Sequence, residues 1–206
     1  MFASARVLGC VMGLALSSGA FAAESVYQED RGKCRDLQPI SKEDEEEMVE
    51  QGQDIPSAQH CDGYKGYKVL EKWDRRSQVL FGYLSGEFLA KYSETFDVDN
   101  YAGDKIEWRL DAKGTPRAAI LRYKFSNYNF DEKGPPEVLL ISKVGQPESP
   151  MGCAIGMVDT STNKNANELA RQVADEVEPG FECGRDTPLY HGKRSKSAPA
   201  FYAGWN

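Results

Sequence analysis

Between Lys105 and Leu110 polar and apolar residues alternate without a break: Ile106, Trp108 and Leu110 point one way, Lys105, Glu107 and Arg109 the other. That two-residue period belongs to a strand with one buried face. "DAKGTP" follows as a turn, and "AAILRYKF" returns with Ala119, Leu121, Tyr123 and Phe125 on one face, so the two stretches predict a hairpin. "EVLLISKV" is continuously apolar, as a central strand is, and "MGCAIGMVD" is a further strand beyond the break at "QPESP". "YKGYKVLEKW" reads as a strand with Gly66 at a bulge. "QVLFGYLSGEFLAKY" fits either two strands or one helix, and Gly82 and Gly86 favour strands.

A helical period occurs in two places. Ala166, Leu169, Ala170, Val173, Ala174 and Val177 recur at the spacing of one helix face, with Asn165 as cap, Glu168 as its reciprocal partner, and Pro179 and Gly180 as the stop. Such a helix must cover something apolar, and the strands before it supply the surface. "SKEDEEEMVEQGQ" predicts a short exposed helix capped by Ser41, its acidic run 43–47 a solvated face or mobile arm, or else a cation- or partner-binding patch. Together the patterns predict an α+β fold, a single antiparallel sheet of five to seven strands covered by a C-terminal amphipathic helix. Residues 23–60 read as a polar arm, 61–184 as the domain and 185–206 as an irregular tail whose Phe201, Tyr202 and Trp205 pack back or meet a partner.

Residues 1–22 change the setting. Arg6, the apolar run Val7–Leu16 and the A-F-A site at Ala20–Ala22 have the form of a secretory signal peptide. Removing 22 of 206 residues leaves a chain of 184, and losing Arg6 moves the formal charge from −7 to −8. A chain of that charge is repelled by phosphate backbones, which argues against nucleic acid as a partner. Nothing after the leader resembles a transmembrane segment, and the expected location is periplasmic or extracellular. Cys34, Cys61, Cys153 and Cys183 then remain, an even count in an exported chain. Three pairings exist, and proximity favours Cys34–Cys61 and Cys153–Cys183. The second would staple the helix onto the sheet.

The sequence carries no G-x-S-x-G, P-loop, G-x-G-x-x-G or H-E-x-x-H, so no catalytic residue, cofactor or metal is assigned. His60 beside Cys61 is no dyad, because sequence neighbours do not aim a base at a nucleophile. "DVDNYAGDKIEW" imitates a calcium loop at Asp97 and Asp99, but Ala102 and Trp108 stand where it needs glycine and glutamate. Trp108 belongs to the core face; an aromatic platform for a sugar is its other reading. Glu107, Arg109 and Arg122 share the opposite face and form the expected ligand contact if that face is open.

Three blocks carry a resemblance: "CDGYKGYKV" (Cys61–Val69), "IEWRLDAKGTPRAAILRYK" (Ile106–Lys124) and, from Cys153 to Cys183, "CAIGMVD" followed by "ANELARQVADE" and "FEC". They resemble a family of small exported proteins of Gram-negative bacteria that has no known activity. The resemblance implies export and a single domain. Ala154 stands where that pattern expects a histidine, so no metal or acid–base role is implied there. The expected function is a non-enzymatic domain that binds another envelope protein or a cell-wall component, an enzyme inhibitor being one version. The alternatives are a carboxylate-based hydrolase of cell-wall glycan and a calcium-dependent binding module.

Overall fold

The structure is a computed structural model describing residues 23–37, 41–52, 57–83, 92–126 and 137–205. The expected leader at 1–22, and residues 84–91 of the stretch that fits strand or helix, lie outside the described residues. The elements run β1 (Glu24–Gln28), β2 (Cys34–Leu37), α1 (Lys42–Glu50), β3 (Ser57–Asp62), β4 (Lys68–Trp73), β5 (Ser77–Gly82) and β6 (Tyr92–Phe96). Then follow β7 (Asn100–Leu110), β8 (Pro116–Phe125), β9 (Glu137–Lys143), β10 (Cys153–Asp159), α2 (Ala166–Glu176), β11 (Leu189–Tyr190) and β12 (Phe201–Trp205).

Among the described residues the strands form three sheets, not one: a six-stranded sheet ordered β1-β7-β8-β9-β10-β11, a four-stranded meander β2-β3-β4-β5, and the pair β12-β6. The α+β class and the two disulfides stand; the single sheet does not. The polar stretch read as an arm holds strands that pair with partners the local pattern cannot name. β2 pairs with β3, and β1 lies antiparallel along β7 with Val26 opposite Trp108. Nor does the fold end at the helix. β11 runs parallel to β10 and β12 pairs with β6, so the segment expected to be irregular adds a strand to each of two sheets. Phe201 stacks edge-on against Phe96 with centroids 5.1 Å apart.

The β7–β8 hairpin forms where the alternation places it. Its turn is fixed by the Asp111 carboxylate, which accepts from the Lys113 and Thr115 amides at 2.8 and 2.9 Å, and by Gly114 at φ +74. Gly66 lies not at a bulge but in a 3₁₀ turn, Tyr64–Gly66, just before β4.

The layers are helix, large sheet and meander. One face of the large sheet, through Ile106, Trp108, Leu121, Tyr123 and Leu140, packs on Cys61, Val69, Val79 and Phe81 of the meander. Phe81 and Trp108 meet edge-on with centroids 5.4 Å apart. Trp108 is therefore core. At Gly82 the meander touches the segment after β9 so closely that an added Cβ would lie 2.6 Å from the Gly145 backbone. On the other face Ala170, Val173 and Ala174 of α2 cover Ala118, Ile120, Leu139 and Ile141. Burying such side chains contributes about 25 cal/mol per Å² of apolar area. Cys153–Cys183 ties the start of β10 to the chain just beyond α2, and Cys34–Cys61 joins directly opposed residues of β2 and β3. Asn165 occupies the N-cap of α2 but its side chain makes no capping bond, because its backbone (φ −104, ψ 35) is not extended; Ser41 does cap α1, accepting from the Asp44 amide at 3.1 Å.

Candidate functional site

Glu107, Arg109 and Arg122 do share one face of the large sheet, and α2 lies across it. Glu107 and Arg109 are each only 7% exposed. Arg109 grips Asp175 of α2 with two parallel bonds, Nε to Oδ1 at 3.0 Å and Nη2 to Oδ2 at 2.5 Å. Its Nη1 donates to Ser25 Oγ at 2.6 Å, and that hydroxyl donates to Glu107. Glu107 accepts from Arg171 Nε at 2.6 Å, and Arg171 Nη2 donates to Tyr27 Oη at 2.8 Å. The Glu107 carboxylate holds the Arg171 guanidinium above its ordinary pKa. The network joins β1, β7 and α2, so Glu107 and Arg109 fasten the helix. Arg122 stays at the edge, bonded to Glu137 at 2.7 Å, and with Tyr27, Lys105 and Lys124 lines a groove of about 410 Å³ beside α2. Replacing Arg171 by Met should destabilise the fold by about 1–2 kcal/mol, since three bonds, two of them to the Glu107 carboxylate, are lost while Glu107 keeps Ser25. Thermal melts at pH 7 check this, and an unchanged midpoint would show that the network does not hold the helix.

A second polar site lies under β6. Glu94 is 1% exposed, and its carboxyl accepts the Ala154 amide through both oxygens, at 3.0 and 2.8 Å, and the Tyr92 hydroxyl at 3.1 Å. Ala154 stands at the ragged start of β10, just before a register shift. Burial outweighs these donors and pushes the Glu94 pKa up to about 8. Tyr92 lines a cleft with Phe181, Pro188 and Tyr202, but Glu94 itself is closed off behind it. Glu94 thus anchors the small sheet to the large one.

The third site was missed by pattern reading. The meander's inner face is set by register. Its first row, Cys34, Cys61, Val69 and Phe81, is followed by Asp36, Gln59, Glu71 and Val79, and then by Ser57, Trp73 and Ser77. The face turns from apolar to polar within one strand repeat, and a cleft of about 340 Å³ opens there, lined by Asp36, Ser57, Ala58, Gln59, Glu71 and Trp73. Glu71 Oε2 accepts from Gln59 Nε2 at 3.2 Å and lies 3.5 Å from Arg31 Nε. Arg31 is 9% exposed, and both its terminal amino groups are buried without a hydrogen-bond partner. The Tyr123 hydroxyl is buried beside it; burial raises its pKa, and the charges of Arg31 and Glu71 and the Val79 backbone act on it. The one signal that could have found this cleft is Cys34–Cys61 taken as a directly opposed pair, which fixes Asp36 against Gln59.

Among the described residues no group of three or more His, Cys, Asp or Glu side chains is placed to hold a metal. The stretch resembling a calcium loop is the turn out of β6 followed by most of β7, with Ser126 N donating to Asp99 O at 3.0 Å. No helix among the described residues is long and apolar enough to cross a membrane. Two disulfides fit a protein that matures in an oxidising compartment. Compared with family models, with curated proteins and with solved structures, the chain matches none.

Proposed function

We propose that this chain is an exported, periplasmic or extracellular domain that acts by binding another component of the bacterial envelope, and that the cleft on the meander is its binding surface. The observation that carries this reading is the polar row Asp36–Gln59–Glu71 beside the half-exposed Trp73, with the underpartnered Arg31 behind it. Buried polar groups without partners are costly, about 1–3 kcal/mol each, and persist where something else completes them. The Cys34–Cys61 disulfide, within the meander itself, ties two of the three strands that carry these side chains and so keeps the site formed before a ligand arrives. The test is retention of envelope proteins and cell-wall sacculi on the immobilised oxidised chain, compared with the Trp73→Ala variant. We expect a component retained by the parent chain and lost with the variant. Repeated retention of nothing, or equal retention by both, overturns the reading.

A second reading, glycan hydrolysis, has one observation in its favour. Asp36 and Glu71 point from strands on either side of β3, which places their backbones roughly 10 Å apart by strand spacing. Inverting glycosidases hold two carboxyl groups about 6.5–9.5 Å apart. Release of new reducing ends from cell-wall glycan, abolished by Glu71→Gln, would support it; no release by the parent chain removes it.

A further inference from the structure

We infer that the cleft takes a neutral sugar unit of a glycan, its ring stacked on Trp73 and its hydroxyls held by Asp36, Gln59 and Glu71. This rests on reading the cleft as the binding surface and names the ligand class. Three features select the class. The first is the aromatic rim. Trp73 ends β4 with 49% of its surface exposed, next to Ser57 across the ladder. An indole face open to water beside polar side chains suits a ligand with one apolar face and a hydroxylated edge, as a pyranose has. The second is the donor and acceptor set. Two carboxylates and one amide crowd into one row of the ladder, and paired hydroxyls satisfy carboxylate and amide groups together. The third is charge. Arg31 is compensated by Glu71 at 3.5 Å, which leaves Asp36 as surplus, so the cleft repels an anionic ligand. A neutral hydroxylated ligand pays no such penalty. The volume, about 340 Å³, is at the low end of small-ligand pockets, about 300–1,000 Å³, and suits one or two sugar units rather than a folded protein loop.

The experiment titrates the oxidised chain with two neutral tetrasaccharides, one of glucose and one of N-acetylglucosamine, and with oligogalacturonate as the anionic counterpart. Tryptophan fluorescence and calorimetry report binding. We expect saturable binding of at least one neutral tetrasaccharide, weakened at least tenfold by Trp73→Ala with an unchanged melting temperature, and weakened similarly by Glu71→Gln. No saturable binding of either neutral sugar, equal or tighter binding of the anionic one, or an unaffected Trp73→Ala variant overturns the inference. The two failures are separable. If Trp73→Ala loses an envelope protein that the parent chain retains while no sugar binds, the cleft is a binding surface for another class of ligand. If neither sugar nor envelope component depends on Trp73, both readings fall.

Discussion

Glu94→Gln stabilises this protein at neutral and alkaline pH. The carboxyl is buried, and its pKa is pushed from an ordinary 4.5 to about 8. A group whose folded pKa is raised contributes its stability fully below about pH 4.5, and that contribution is lost as the pH climbs through 8, because the unfolded chain releases the proton first. Each pH unit in this window costs about 1.4 kcal/mol, so by pH 7 the parent chain has given up about 3 kcal/mol. Glutamine keeps the shape and carries no proton to lose. Its carbonyl can accept the Ala154 amide, and its amino group can donate to the Tyr92 hydroxyl, the two partners Glu94 has now. In a domain of this size about 3 kcal/mol moves the midpoint by roughly 6–12 °C. Thermal melts of both chains from pH 4.5 to 8.5 decide the matter: curves that converge at acid pH and separate as pH rises are expected. Curves that run parallel would show that Glu94 does not titrate in this window. Glu94→Ala should destabilise instead, since it leaves the Ala154 amide without an acceptor and opens a cavity.

Removing the Cys153–Cys183 bridge, as the double serine variant, should lower stability by about 3–4 kcal/mol on the chain-entropy account of a loop of this length, or roughly 7–14 °C in the midpoint. The sequence separation is 30. The bridge closes the loop that contains all of α2, and α2 is what covers Ala118, Ile120, Leu139 and Ile141. Without it the helix still has Arg109–Asp175, Glu107–Arg171 and the anchor at Glu178, where Lys143 and Arg117 meet a buried carboxylate at 3.4 and 3.2 Å. The variant should therefore fold but melt early. The same substitution at Cys34 and Cys61 acts on a loop of separation 27 and should also strip the cleft of its fixed strand register. A parent chain whose melt is unmoved by reductant would refute both.

How much of this could be read from the residues depends on how local the cause is. The β7–β8 hairpin was legible because alternation and turn chemistry, from Ile106 to Phe125, sit in one continuous stretch. The face of α2 was legible for the same reason, and the pairing of the four cysteines followed from their spacing. β1 was not, because "ESVYQ" offers one aliphatic side chain and owes its strand to the edge of β7. β12 owes its strand to β6 in the same way. The shared face of Glu107, Arg109 and Arg122 was read correctly from period alone, but its cover was not, since charged residues facing Arg171 and Asp175 on a helix look, in sequence, like two solvated surfaces. The cleft was hidden for a further reason. Asp36, Gln59 and Glu71 become neighbours only once the register of three strands is known.

The pairings β1 with β7 and β12 with β6 join segments far apart in the chain, and the contact order they impose slows folding, because distant loops must close before their contacts reward it. The strand Phe201–Trp205 completes a sheet begun by Tyr92, so the finished topology waits until that distant segment is present. Until that strand arrives, β6 is an unprotected edge open to chaperones, proteases or another chain.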